Sequence, residues 1–289
     1  MHRGFFVVLL LSLSASANAQ FDIATELKTT EVEPGIYMIE GADGFSGGTV
    51  GLLVGEERIV LIDDFVEPLS GTLLKTAGKV AGRPVDFVIN THVHGDHIGG
   101  NATLAHHGAT VVAHDNIRER MLADEKTDPD GLPILTFSDS VTFHLNGMTA
   151  HVLHVAEAHT DGDAIIHFPE QNVIHAGDIL FNHIFPFIDL DNGGTVDGFI
   201  AAQKKLVEMA DDNTKIIAGH GPLGSRSDLE RNLQVLVDSQ SKVKALVDKG
   251  MSADEVVAAN PLAEFHEGWN WAFITTERMT RTLYRDLTE

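Results

Sequence analysis

The chain of 289 residues contains no cysteine. That absence excludes disulfides, iron–sulfur clusters, thiol nucleophiles and zinc sites with sulfur ligands, so any metal must be held by nitrogen and oxygen. Cations are scarce too, with Lys and Arg totalling 20 against 42 Asp and Glu for a formal charge of −22. Phosphate backbones and anionic lipid surfaces repel so acidic a chain, which argues against nucleic-acid and membrane-surface partners. Gly/Ser linkers, charge runs and exact repeats are also missing. Hydrophobic material is plentiful at 43% of residues, enough for one large core and too much for a disordered chain.

The N-terminus carries the only extended apolar run. His2 and Arg3 precede Phe5 to Leu13, and Ala17-Asn18-Ala19 has the small-x-small form cut by signal peptidase. The run is shorter than the roughly 20 apolar residues a membrane span needs. Residues 1–19 therefore read as a cleavable signal peptide, and the mature chain is expected to start at Gln20 and to be periplasmic or secreted.

Beyond Gln20 the pattern is that of one α/β domain over residues 20–289, with a helical segment from about 225 to the end. Thr49–Val54 and Ile59–Asp63 read as strands around Gly55-Glu56-Glu57. Leu73, Leu74, Ala77 and Val80 recur at helical spacing before Gly82, and Val85–Ile89 reads as the next strand. Asn101–His107 and Asn116–Ala123 read as helices around a strand at Ala109–Ala113, with a loop at Lys126–Pro133. Strands follow at Val141–Leu145, Thr149–Val155, Ala164–Phe168, Asn172–His175 and Lys215–Ala218, with a helix at Gly198–Met209. The stripe Leu229, Leu233, Leu236, Val243, Val247 is helical to Lys249-Gly250, and Ser252 with Glu255 forms a capping box for a helix that Pro261 ends.

Chemistry concentrates in Thr91-His92-Val93-His94-Gly95-Asp96-His97-Ile98-Gly99-Gly100-Asn101. Three imidazoles and a carboxylate within six positions are hard to bury, because each polar group needs a partner. A metal would be that partner, and imidazole with carboxylate suits zinc. A solvated polar loop is the alternative. His159, Asp178 and His220 each lie just beyond an expected strand end, where loops of layered α/β proteins gather into sites.

From Gly35 to Pro222 the chain resembles the metallo-β-lactamase superfamily, through Leu61-Ile62-Asp63, His92-x-His94-x-Asp96-His97, His159-Thr160-x-Gly162-Asp163, Ala176-Gly177-Asp178 and Gly219-His220-Gly221. The resemblance implies a four-layer αβ/βα sandwich, two mixed sheets flanked by helices, with two zinc ions per chain. By position, His92, His94 and His159 would hold the first ion and Asp96, His97 and His220 the second, with Asp178 bridging and Asp63 bracing the ligand loop. Asp96 would also orient the attacking water.

Members best known for cleaving β-lactams have cysteine where Asp178 stands; a bridging aspartate is typical of the glyoxalase II-like hydrolases, and of nucleases and lactonases. The expected function is thus an exported dinuclear zinc hydrolase that uses a metal-bound hydroxide on a small ester, thioester, lactone or amide, β-lactams being one case. A mononuclear iron persulfide-dioxygenase-like oxidoreductase and a non-catalytic metal-binding protein are the alternatives. Gly41–Gly48 matches the loop that family members fold over substrate, with Phe45 at its tip, and Phe181–Phe187 is a candidate pocket wall. Trp269 and Trp271 are expected in the core, and the remaining histidines to be structural or exposed. No Lys or Arg lies between Ile179 and Asp191, so anionic antibiotics should bind weakly.

Protein recovered from a bacterial periplasm is expected to have the intact mass of a chain beginning at Gln20. Retention of residues 1–19 would overturn the processing signal.

Overall fold

The computed structural model describes residues 22–289, so the signal-peptide reading lies outside the described residues. The first sheet takes its strands in chain order: β1 (Leu27–Glu33), β2 (Ile36–Gly41), β3 (Val50–Val54), β4 (Ile59–Ile62), β5 (Phe87–Ile89), β6 (Thr110–His114) and β7 (Leu135–Phe137). Pairing is antiparallel from β1 to β4 and parallel from β4 to β7. The parallel half is threaded by α1 (Ser70–Ala81), α2 (Gly95–Ile98), α3 (Asn101–His106) and α4 (Asp115–Ala123).

The second sheet runs β12-β11-β10-β9-β8, from β8 (Ser140–Leu145), β9 (Met148–His154), β10 (Ala164–Phe168), β11 (Val173–Phe181) and β12 (Lys215–His220). Only β11 and β12 pair in parallel, joined through α5 (Val196–Met209). The chain closes with α6 (Arg226–Val247), α7 (Ala253–Ala259), α8 (His266–Trp269) and α9 (Thr276–Thr288). Among the described residues no helix is long and apolar enough to cross a membrane.

Strand sequences record which layers they separate. In β4 every residue is apolar because both faces are covered: Val60 and Ile62 join the core between the sheets, Ile59 and Leu61 the core under α1. β12 does the same, with Ile217 between the sheets and Ile216 and Ala218 against Ala202 and Leu206 of α5. α1 buries Leu73 and Ala77, one turn apart, and ends at Gly82 in the left-handed conformation. The result is the expected α/β architecture, two mixed sheets flanked by helices.

Two expectations need correcting. The strand expected to stop at His175 continues to Phe181, because a bulge at Gly177 carries it past the Ala176-Gly177-Asp178 sequence that reads as a turn. Asp178 is therefore inside a strand, and His220 is the last residue of β12 rather than beyond it. The capping box at Ser252 and Glu255 is present, and α7 ends where Asn260 turns left-handed before Pro261.

Phe168 is fully buried between the sheets, whereas Ile134 is 79% exposed. Phe168→Ala is expected to lower stability by about 3–5 kcal/mol in urea unfolding. Ile134→Ala should stay within about 0.5 kcal/mol of the parent. Equal effects would contradict this placement of the core.

Candidate metal centre

Seven side chains converge where the two sheets meet. His92 and His94 lie in the loop after β5, Asp96 and His97 in the short helix α2, His159 between β9 and β10, Asp178 in β11 and His220 at the end of β12. Donor atoms of His92, His94, His159 and Asp178 lie within 4.8 Å of one another, as do those of Asp96, His97 and His220. Asp178 stands between the groups. Its Oδ2 is 3.6 Å from His92 Nε2 and 3.3 Å from both His159 Nε2 and His220 Nε2, while its Oδ1 is 3.3 Å from His97 Nε2. Asp96 Oδ2 is 3.5 Å from His220 Nε2 and 3.7 Å from His97 Nε2.

The other ring nitrogen of four of these histidines is already engaged. His97 Nδ1 meets Asp63 Oδ2 at 2.8 Å, His159 Nδ1 the Phe187 carbonyl at 2.7 Å, and His94 Nε2 Asp189 Oδ2 at 2.8 Å. Thr91 Oγ1 gives its one hydrogen to Asp63 Oδ2, so at 3.0 Å from His92 Nδ1 it must accept. That fixes the tautomer of His92: Nδ1 carries the proton and Nε2 turns a lone pair inward. His92 Nε2, His97 Nε2 and Asp178 Oδ1 are buried without a hydrogen-bond partner. His159 Nε2 and His94 Nδ1 approach to 2.8 Å, a contact two lone pairs tolerate only with a proton or cation between them. Orphaned donors of this kind, oriented by outer hydrogen bonds, are what a metal site requires.

Charge is distributed to match. Burial disfavours ionised Asp178, but the neighbouring imidazoles, His220 and His97 foremost, outweigh it and hold the carboxyl well below the usual carboxylate range. Burial pushes the His159 imidazole down to about 3, so the ring is neutral and able to donate a lone pair. His97 is pushed up to about 10, because Asp178, Asp63 and Asp96 overcome its desolvation. Around it stand more carboxylates than a single proton neutralises.

Asp63 and Asp189 hold the cluster in place. Asp63 is fully buried, adopts φ 65°, and accepts from the Thr91 amide at 2.7 Å as well as from Thr91 Oγ1 and His97. Asp189, absent from the sequence reading, is oriented in turn by Asn192 Nδ2 at 2.7 Å, and Arg120 donates to Asn192 Oδ1 at 2.7 Å. The only advance signal for Asp189 is its place in the segment Ile179–Asp191 that follows the bridging position.

A cavity of about 420 Å³ opens over the cluster, with His94, Asp96, Asp178 and His220 on its floor. Phe45 reaches it from the glycine-rich loop, whose backbone is tied to Asp22 and Ala24 through bonds of 2.8 and 2.9 Å. Phe181 and Phe187 also line it, as the sequence pattern allowed. Trp269 is in the C-terminal apolar core; Trp271, expected there too, packs against that core half-buried and also lines the cavity. The remaining histidines join no metal-ligating group among the described residues, and His114 caps α4.

The sequence family described as the metallo-beta-lactamase superfamily matches residues 43–221. A type 2 metallo-beta-lactamase of Bacteroides fragilis is 22% identical over 82% of this chain and 97% of its own length. A hydroxyacylglutathione hydrolase of Methylococcus capsulatus is 33% identical over 42% of this chain; the chain spans 50% of that enzyme. Among solved structures, a metallo-beta-lactamase from Pontibacter korlensis superposes with a TM-score of 0.63 at 21% identity, covering 74% of this chain and all of that one. The sec-alkylsulfatase Pisa1 from Pseudomonas gives 0.71 at 16% identity, over 91% of this chain and 50% of its own.

Asp189→Asn preserves size and the ability to cap the short turn at Leu190, but it removes the charge facing His94. Affinity for an added divalent metal ion, measured by chelator competition, is expected to fall about 10–100-fold. An unchanged affinity would show that His94 is oriented without it.

Proposed function

Because the chain belongs to the metallo-beta-lactamase superfamily, we propose that it is an exported hydrolase that binds two zinc ions and cleaves a small carbonyl substrate. The observation that carries this reading is the set of inward lone pairs without partners, above all His92 Nε2 and Asp178 Oδ1. The donors fit zinc, since all are imidazole nitrogen or carboxylate oxygen. His92, His94 and His159 would hold one ion, Asp96, His97 and His220 the other, and Asp178 would face both. Residues 1–19 support export.

Two bound zinc ions would supply Lewis acidity and a lowered pKa for water. The protein's part is to aim the groups around them. Asp96 lines the cavity and is more exposed than its neighbours, so its carboxylate can accept a hydrogen bond from the attacking water and fix its direction. Asp63, Asp189 and the Phe187 carbonyl keep His97, His94 and His159 from rotating. The apolar walls exclude competing water from the carbonyl.

Completion of a second donor group by His97 and His220 favours hydrolysis over a one-metal oxygenase. Metal analysis of natively purified protein should give about two zinc ions per chain. Zinc-supplemented assays of nitrocefin, a carbapenem, an acyl-homoserine lactone and a glutathione thioester should show turnover of at least one. Asp178→Asn is expected to lose one metal and, by at least the roughly 10–100-fold that an outer-sphere partner is worth, turnover. One iron per chain without hydrolysis would overturn the reading in favour of an oxygenase, and metal without turnover in favour of a binding protein.

A further inference from the structure

The cavity has two unlike halves. Its floor is polar, while its walls are Phe45, Val66, Phe181, Phe187, Trp271 and Phe273, and among the described residues no Lys or Arg lines it. Two of the rings come from the C-terminal segment between α8 and α9, outside the region matched by the family. Trp271 has one polar atom, and its Nε1–H is committed to the Phe185 carbonyl at 2.9 Å, so it offers the cavity only the face and edge of its ring. The rings form a connected series. Phe187 and Phe273 have centroids 5.3 Å apart, Phe273 and Trp271 5.7 Å, and Trp271 and Phe181 6.3 Å. Its ends rest on the floor, Phe187 against His94 at 5.4 Å and Phe181 stacked on His220 at 4.8 Å.

One cation stands behind this wall. Arg278 lies 4.1 Å from the Phe273 centroid and 5.1 Å from that of Phe187, and its Nη1–H donates to the Phe273 carbonyl at 3.0 Å. It lines a separate depression with Asp189 and Asp191. A carboxylate carried on the part of a ligand that lies away from the floor would therefore meet aromatic rings, with no Lys or Arg beside it among the described residues.

We infer that Trp271 and Phe273 form, with Phe181 and Phe187, an aromatic cup that selects uncharged substrates carrying an aryl or bulky alkyl group beside the reacting carbonyl. The orientation of that carbonyl toward the floor rests on the hydrolase reading. The preference for a neutral apolar group rests on the walls alone. Arg278 acts as a positioning residue, fixing the Phe273 backbone and ring from outside.

Binding of neutral ketones, which have no bond to hydrolyse, tests the cup without requiring turnover. Zinc-loaded protein is titrated with acetone, cyclohexyl methyl ketone, 2-acetylnaphthalene and 6-acetyl-2-naphthoate by calorimetry. Affinity is expected to rise along the three neutral ketones and to fall about tenfold or more when the far ring carries the carboxylate. Trp271→Ala and Phe273→Ala should each weaken 2-acetylnaphthalene about tenfold, with Trp271→Phe retaining most of the affinity. Naphthoate binding equal to that of the ketone, or alanine variants with unchanged affinity and unchanged circular dichroism, would overturn the inference. Should alanine variants fail to fold, the Trp271→Phe variant and the ligand series on the parent protein still decide it. Protein inactive on every carbonyl substrate yet showing this affinity pattern would defeat the hydrolase reading and leave the cup standing.

Discussion

Four imidazoles packed ring against ring, each with its outward nitrogen already bonded, impose the constraint around which the rest of the chain is arranged. His92 and His97 have centroids 4.0 Å apart, and His92 and His159 4.5 Å. Rings this close cannot all be protonated, and buried lone pairs without partners are costly. The protein meets that cost in part by surrounding the cluster with Asp178, Asp63 and Asp189, of which Asp63 is held by Thr91 and Asp189 by Asn192. A cation completes the balance. The fold's task is to keep seven donors from collapsing onto one another in ways that would satisfy them internally.

Much of this was legible in the sequence, and the reason is density. His92, His94, Asp96 and His97 share one short segment, so their conjunction survives any uncertainty about elements. His159, Asp178 and His220 stood out as candidates from their places after expected strands, but their roles as ligands became readable only beside a known family, since a single histidine after a strand has no chemistry of its own. Asp189 and Thr91 were missed as braces because their roles depend on rotamers and on who already holds which hydrogen. The alternating strands of the second sheet were plain. β7, three residues long with two of them exposed, had no periodicity to read, and α9 buries only a narrow stripe around Met279 and Leu283 on an otherwise polar helix. Trp271 shows the limit of composition. It sits two residues from the buried Trp269 and packs on the same apolar core, yet only Trp271, past the end of α8, also faces the cavity.

Charge and aromatic content divide the labour between the two ends of the chain. The negative formal charge is largely that of an exposed surface, whereas the cavity walls come from phenylalanines and a tryptophan contributed by the glycine-rich loop, the segment after β11 and the stretch before α9. The donors are supplied by residues 92 to 220 and the apolar walls partly by residues beyond 270. The metal-ligating side chains and two of the wall rings therefore come from different stretches of the sequence, joined where Phe187 and Phe181 touch both His and Trp or Phe rings.

The bulge in β11 shows how local backbone geometry makes the donor set possible. Ile174 and Ala176 point into the apolar layer under α5, so in a regular strand position 178 would follow them there and place a carboxylate among Ile165, Leu206 and Ile216. Gly177 interrupts the alternation with φ 51°, the pairing with β12 shifts on both sides of it, and the apolar layer receives Ile179 and Leu180 in place of residue 178. Asp178 is thereby turned toward the histidines. A Cβ at Gly177 would lie 2.8 Å from that of Thr91, and one at Gly219 would lie 2.1 Å from Asp178 Oδ1, so neither backbone could approach so closely with a side chain. The glycines of Ala-Gly-Asp and Gly-His-Gly thus have a steric meaning. They are small because the Thr91 side chain packs against the first and the Asp178 carboxylate against the second.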